Sequence, residues 1–311
     1  MFKNVKPIFF KAMTGIHAGT GSDLGLVDLP IQRERHSGLP KIESSGVKGC
    51  LRDVFDDLLK RNDGGNLPDD FVEVAFGPED SGDKHAGSVA FTDARLLLFP
   101  VRSARGVFAY ATCPYILKRL AEDFALAGID IDIGAMAENE KAQVSSKKLL
   151  VADSGKAVLE EYTLEAAVTG YAVKLANDIA NWLGLTDRTY VRDNLIILSD
   201  DDFKDFARNN TEIITRVKID NKKGTVAKGA LFTEELLPSE TVMYSLVMAS
   251  KIFIEKDMRA ASKTVIKANE KEGADEAKYL IDTIEANLPG YIQIGGDETI
   301  GKGLCRVKMG V

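Results

Sequence analysis

The sequence predicts an α+β domain with one core and large insertions, and two observations carry that expectation. Strand-like runs and amphipathic helical stretches alternate from one end of the 311 residues to the other. No internal repeat or low-complexity tract divides the chain, whose length exceeds the usual single domain but lies within reach of single-core folds.

Taken in order, residues 5–12 are rich in Phe and Ile and alternate loosely, a strand pattern. Gly15, Gly19, Gly21 and Gly25 break it. Residues 14–40 lack a helical period and carry Pro30 and Pro40, so they predict a long loop of the kind compact domains reserve for function. Ser44 or Ser45 can cap a helix running to about Lys60, with Val47, Leu51, Val54, Phe55, Leu58 and Leu59 on its apolar face. Residues 89–101 read as a strand pair interrupted near Asp93, and 107–112 as another strand. Pro114 opens a helix through Ala127. The polar, weakly periodic stretch at about 128–155 predicts an insertion.

Further on, 171–182 predicts a helix, 195–198 a buried strand and 201–208 a short helix. Residues 213–240, centred on Lys222, Lys223 and Gly224, predict a projecting hairpin. A long strand at 241–254 follows, then mostly helix over 258–288. The chain closes as strand, glycine loop (about 295–303) and strand.

Composition narrows the function classes. Hydrophobic residues at 45% and charged residues at 28% are ordinary for a globular protein, and no apolar run approaches the roughly 20 residues that cross a bilayer. The start, MFKNVKPIFFKAM, has no small-residue cleavage site and predicts no signal peptide. Cys50, Cys113 and Cys305 are odd in number and scattered, which argues against a disulfide framework or a structural zinc site and fits a reducing cytoplasm. The net charge of −7 counts against a uniformly basic nucleic-acid binder. Its distribution is uneven. Between residues 31 and 53 five basic side chains face three acidic ones, and between 216 and 229 five face one.

Four segments could carry chemistry. Gly296-Asp-Glu-Thr-Ile-Gly301-Lys302 has P-loop spacing, but Gly303 replaces the magnesium-holding Ser or Thr and too few residues follow to make a phosphate-cradling helix. A glycine-rich backbone close to an RNA phosphate, or a tight hairpin using glycine for positive φ, both remain open there. His17-Ala-Gly-Thr-Gly has a GxG but no helix in reach, so a dinucleotide site is set aside; His17 suits a structural bond at a strand end, a phosphate contact or proton transfer. Asp28, one charge within Val-Asp-Leu-Pro-Ile and just ahead of Arg33 and Arg35, could hold magnesium or take a ribose 2′-hydroxyl proton. Spacing alone favours a turn aspartate there. Lys48 and Arg52 lie four apart at the start of a helix, beside Gly46 and Gly49, and make an anion site of backbone amides and two cations. Two glycines in a first turn cost about 1 kcal/mol each without a compensating contact.

Together, the loop His-Ala-Gly-Thr-Gly, the run Val27-Asp-Leu-Pro-Ile-Gln-Arg-Glu, the run Ser45-Gly-Val-Lys-Gly-Cys-Leu-Arg and the terminal Ile-Gly-Gly-Asp-Glu-Thr-Ile-Gly-Lys-Gly resemble the RAMP superfamily of CRISPR proteins. The likeness is strongest to the backbone subunit of type III-B Cmr effector complexes, and extends through Phe108-Ala-Tyr-Ala-Thr-Cys-Pro. That resemblance implies a ferredoxin-like, RRM-type palm with inserted fingers and a β-hairpin thumb. It implies copies of the chain stacked in a filament along a CRISPR guide RNA, beside other Cmr subunits, cleaving paired single-stranded target RNA at regular intervals with Mg2+ or another divalent cation. Asp28 takes the family's catalytic position and is the candidate metal ligand, with His17, Glu234 and Glu235 as assisting groups. Leu236 stands where an aromatic would have helped. Lys48, Gly49 and Arg52 take the guide-backbone contacts, Gly301, Lys302 and Gly303 the glycine-rich loop, Lys222 and Lys223 the thumb, and Arg33 a further RNA contact. A structural guide-binding subunit without cleavage, and a guide-processing ribonuclease relying on histidine, are the alternatives; an intact Asp28 speaks against the first.

Overall fold

Asn4–Ala12 is the axis of the main sheet, pairing antiparallel with Val242–Ala249 on one side and with Leu304–Met309 on the other. Pro7 through Ala12 are all buried. Phe9 packs on Phe124 and Trp182 with ring centroids 6.1 Å away in each case, while Lys6, on the opposite face, reaches Glu285 at 2.5 Å. Cover on both faces is why the alternation in this strand is loose rather than strict. The structure, a computed structural model, describes residues 2–22, 25–61, 67–79, 85–132, 141–152, 154–220, 225–270 and 275–311.

Val242–Ala249 pairs antiparallel with Val89–Phe91 and Ala94–Arg102. The chain thus runs strand, helix (Ser44–Lys60), strand, strand, helix (Glu276–Asn287), strand, with the strands side by side in the order fourth, first, third, second. That order is the ferredoxin-like palm. Residues 103–241 stand between its second and third strands. They extend the sheet with Phe108–Thr112, Leu195–Ile197, Ala142–Val144, Tyr162–Val168 and Lys156–Leu159, and add the helices Pro114–Leu126, Gly170–Trp182 and Asp200–Asn209. They also send out a separate antiparallel hairpin, Glu212–Asp220 with Thr225–Leu236. Lys222 and Lys223 lie outside the described residues, as do 133–140 and 153 of the stretch expected as an insertion.

Three local expectations change. The helix expected to be capped by a serine starts at Ser44 with Glu43 as its N-cap and no side-chain cap, because Asp93 Oδ1 accepts from the Ser44 amide at 2.9 Å instead. The strand expected to reach 254 stops at Ala249. Beyond it, the Ser250 amide donates to Ser88 and the Ile252 amide to Glu276, which turns the backbone out of the ladder. The helical region after 255 is three short helices, Lys256–Arg259, Lys263–Ala268 and Glu276–Asn287; Ser262 and Asp275 cap the second and third with their own side chains, and such residues interrupt a helix rather than continue it. Among the described residues no helix is long and apolar enough to cross a membrane. All three cysteines are free thiols, and burial pushes Cys50 and Cys305 up to about 12.

Candidate functional site

The loop that follows the first strand is built onto the hairpin. Ile16 bridges Leu237, Gly19 bridges Ile31, and Leu29 lies parallel to Glu234, with the Leu29 amide donating to Thr233 O and the Glu235 amide to Leu29 O, each at 3.0 Å. Adding this strip to the free edge of Thr225–Leu236 satisfies backbone groups that an isolated ribbon would leave open.

Asp28 is exposed at the head of that strip. Its Oδ2 accepts from the Thr233 amide at 2.7 Å and from the Thr233 hydroxyl at 2.8 Å, and the Asp28 amide donates to Thr233 Oγ1 at 3.0 Å. The Thr233 amide, then its hydroxyl, hold the carboxyl below the ordinary aspartate range, so the group is a fixed anion facing solvent. Thr233→Val should therefore move the Asp28 titration midpoint upward, with Thr233→Ser restoring it, as read by carbonyl-detected NMR. The hydroxyl bond favours the folded state above the ordinary aspartate range, and that contribution fades as pH falls through the lowered value.

His17 stands behind Asp28's strip. Its Nδ1 is 2.8 Å from Glu235 O, a carbonyl that can only accept, so Nδ1 carries the proton and Nε2 holds the lone pair of the neutral ring. Gly19 leaves room for the ring: a Cβ there would sit 2.5 Å from Nε2. Glu234 Oε1 lies 3.7 Å from Nδ1, and the Gly296 amide donates to His17 O at 2.9 Å.

Glu234 and Glu235 are 2% and 6% exposed, and buried carboxylates must be paired. Glu234 accepts from Arg216 Nη1 at 2.8 Å, and the same nitrogen donates to Asp297 Oδ2 at 2.6 Å. Burial pushes Asp297 up, but the Arg216 bond, the Glu234 bond and the nearby positive charge together outweigh it, and the carboxyl ends below its ordinary value. Glu235 accepts from Arg33, from Thr211 at 2.7 Å and from the Ile31 amide at 3.0 Å. Arg33 also donates to Gly38 O at 2.9 Å and Arg208 O at 3.2 Å, so its guanidinium is engaged inside the fold. Leu236 is fully buried and lies against Gly15, where a Cβ would meet its Cδ1 at 3.3 Å.

The glycine segment is a turn between Tyr291–Gln293 and Leu304–Met309, with one short 3-10 turn at Glu298–Ile300 and no helix after it. Gly295, Asp297, Gly301 and Gly303 all have positive φ. A Cβ on Gly303 would overlap the Ile294 carbonyl, and one on Gly295 the His17 carbonyl, whereas Gly301 faces open space. The Lys302 ammonium has no partner among the described residues.

Lys48 is half-buried and likewise has no ion-pair or hydrogen-bond partner among the described residues; burial, then the nearby Arg52, lower its pKa. Arg52 donates to Gly77 O and sits 3.6 Å from Asp56. A Cβ on Gly49 would meet nothing, and one on Gly46 would make an ordinary 3.6 Å contact with Ile42. The fold itself therefore demands neither glycine. Cys50 Sγ donates to Gln293 O at 2.6 Å and ties this helix to the glycine-rich turn.

Asp28, His17, Glu234, Glu235 and the glycine segment thus come together at the hairpin root, while Lys48 and Arg52 lie on the helix attached to that turn. Thr233, Arg216 and Asp297 complete the cluster. Nothing in the sequence marks Thr233. Arg216 shows there as one basic residue in an island, and its pairing becomes legible once the hairpin register sets it opposite Phe232 and diagonal to Glu234.

A model of the RAMP superfamily matches residues 9–306. The CRISPR system Cmr endoribonuclease Cmr4 of Pyrococcus furiosus is 33% identical over 300 residues, which is 96% of this chain and 92% of that protein. The CRISPR system CMR subunit Cmr4 of Saccharolobus solfataricus is 26% identical over 332 residues, 98% of this chain and 96% of that one. Among solved structures, oligomeric Cmr4 from Pyrococcus furiosus has a TM-score of 0.70 at 27% identity, covering 98% of this chain and 97% of that one. A chain of the type III-B Cmr-beta complex bound to cognate target RNA shares the fold, with a TM-score of 0.74 at 22% identity and 99% and 98% coverage. The matched span takes in the palm, the loop docked on the hairpin and the glycine-rich turn, and this chain belongs to the RAMP superfamily.

Proposed function

We propose that this chain is the RNA-cleaving backbone subunit of a type III-B CRISPR effector. It binds a guide RNA, stacks with copies of itself and with other Cmr subunits in the cytoplasm, and cuts complementary single-stranded target RNA at regular intervals. The observation that carries this reading is Asp28: an exposed, ionised carboxylate clamped by Thr233 to the strand that, two residues on, also anchors the His17 ring through the Glu235 carbonyl. The reaction we propose is attack of a ribose 2′-hydroxyl oxygen on the adjacent phosphorus. The 5′-oxygen leaves with a proton, and a 2′,3′-cyclic phosphate remains. Asp28 is placed to accept the hydroxyl proton, and the hairpin to hold the strand in line for displacement.

Among the described residues no group of three or more His, Cys, Asp or Glu side chains is arranged to hold a metal. Magnesium, however, is commonly held by one or two carboxylates together with substrate phosphates and water. Asp28, whose Oδ1 lies outside the two Thr233 bonds to Oδ2, fits that habit. A divalent ion there would neutralise charge developing on the phosphate.

A complex reconstituted with a guide should cut a complementary RNA at evenly spaced positions and leave a non-complementary RNA intact. Excess chelator should stop the cutting; cutting of hairpin RNA that survives chelator would instead favour a guide-processing enzyme. We assign Lys48, Gly49 and Arg52, with the turn at Gly301, Lys302 and Gly303, to the guide backbone. Lys48→Gln should weaken guide binding irrespective of guide sequence and flatten the slope of log affinity against log salt by about 0.7, the share of one phosphate contact on a single strand. A loss confined to particular guide sequences would contradict the assignment. Arg52 also braces Gly77, so its variants need a melting curve beside the affinity.

A further inference from the structure

We propose that Arg216 is a positioning residue for target cleavage, holding the hairpin root and the glycine-rich turn in register around His17. The inference rests on the ribonuclease reading above. Arg216 leaves the incoming strand of the hairpin opposite Phe232, whose ring centre lies 5.7 Å from the guanidinium. One nitrogen, Nη1, then joins two carboxylates from different parts of the chain: Glu234, on the outgoing strand, and Asp297, in the glycine-rich turn. Those same two parts hold His17, one at its ring and the other at its backbone. Glu235 O takes the imidazole proton, and the Gly296 amide binds the His17 carbonyl.

The contacts close a ring that runs from His17 to Glu235 and Glu234, through Arg216 to Asp297 and Gly296, and back to His17. Arg216 is the side chain that closes it. Take the guanidinium away and Glu234, 2% exposed, is left beside a second acid with no strong cation. It must then take up a proton or turn outward. Turning outward releases the hairpin root from the turn, and a proton shared between Glu234 and Asp297 leaves one carboxyl–carboxylate bond in place of the two that Arg216 makes; both changes loosen the hold on His17 and on the strip bearing Asp28. Displacements of about 1 Å at a reacting centre can cost on the order of a hundredfold in rate.

The test measures single-turnover cleavage at saturating target, and guide and target affinity separately, in the reconstituted complex. Arg216→Met should slow cleavage on the order of a hundredfold, with target affinity held within about threefold, and Arg216→Lys, which can still donate to both acids, should recover most of the rate. Asp297→Gly suits the positive φ at that position, so it removes the carboxylate without a backbone cost and should slow cleavage roughly tenfold even if Arg216→Met folds poorly. The proposal is overturned if Arg216→Met or Asp297→Gly cuts at the parent rate, or if rate and target affinity fall in the same proportion. Asp28→Asn serves as the separating control. If it abolishes cutting while the Arg216 and Asp297 variants do not slow it, this inference alone fails. If it too leaves cutting unchanged, the assignment of the reaction to Asp28, on which this inference rests, fails.

Discussion

Asp28→Asn should reduce cleavage of a guide-complementary RNA by about 10²–10⁴-fold, the range attributable to one positioned proton-transfer group, with guide and target binding unchanged. The separation of rate from binding follows from the contacts. Asp28 is exposed, and its carboxylate bonds within the fold are to Thr233. Asparagine keeps an oxygen that can accept from the Thr233 amide and hydroxyl, so the strip stays docked, but it carries no charge to draw a proton or a metal ion. Gel-resolved single-turnover cleavage and a binding isotherm on the same preparation would check both halves. A variant that cuts at the parent rate would remove Asp28 from the reaction.

The largest stability effect is expected at Gly303. Its φ of 75° is close to the 77° of its neighbour Gly301, but unlike Gly301 it has no room: a Cβ would overlap the Ile294 carbonyl oxygen and lie 3.0 Å from the carbonyl carbon. The backbone at this point is committed on both sides, since the Gly303 amide donates to Gly15 O and the Ile294 amide to Gly303 O, each at 2.8 Å. Gly303→Ala must break one of these bonds or push the turn away from the loop after the first strand. The cost should exceed about 3 kcal/mol, the sum of a left-handed alanine and a lost buried bond, and appear as a lower denaturation midpoint. Gly301→Ala, with a similar φ but open space, should cost about 1–2 kcal/mol. Equal effects at the two positions would contradict the packing argument.

The sequence made the palm legible because its elements are long and two-sided or strongly amphipathic. Ser44–Lys60 presents Val47, Leu51 and Phe55 to the core at helical spacing, and Ala94–Arg102 is a nearly continuous apolar run. It left the strands Lys156–Leu159 and Tyr162–Val168 unseen, because the longer of them is largely exposed and so has no apolar face to give a period. At the site, Asp28 and the glycine segment were legible through family resemblance, whereas local spacing favoured a turn aspartate. That spacing was a fair guide to the local chemistry, since Asp28 does bind backbone, but the amide belongs to Thr233, about two hundred residues away. Arg33 shows the reverse. It reads as a free cation beside other basic residues, yet it is drawn inward by Glu235 and by carbonyls of the helix Asp200–Asn209, partners that no local pattern could reveal.

The position of Asn4–Ala12 at the axis of the palm has a consequence for how the chain acquires its shape. This strand is synthesised before the rest of the palm, yet its two neighbours, Val242–Ala249 and Leu304–Met309, lie more than two hundred residues further along. Pairings so distant in sequence close slowly, because a long loop must be ordered before any contact rewards it. During synthesis the first strand therefore waits with Ile8, Phe9 and Phe10 uncovered while residues 103–241 gather their own local contacts, and the palm zips shut only as the last strand arrives. Early misassembly, when it occurs, should begin at that waiting strand.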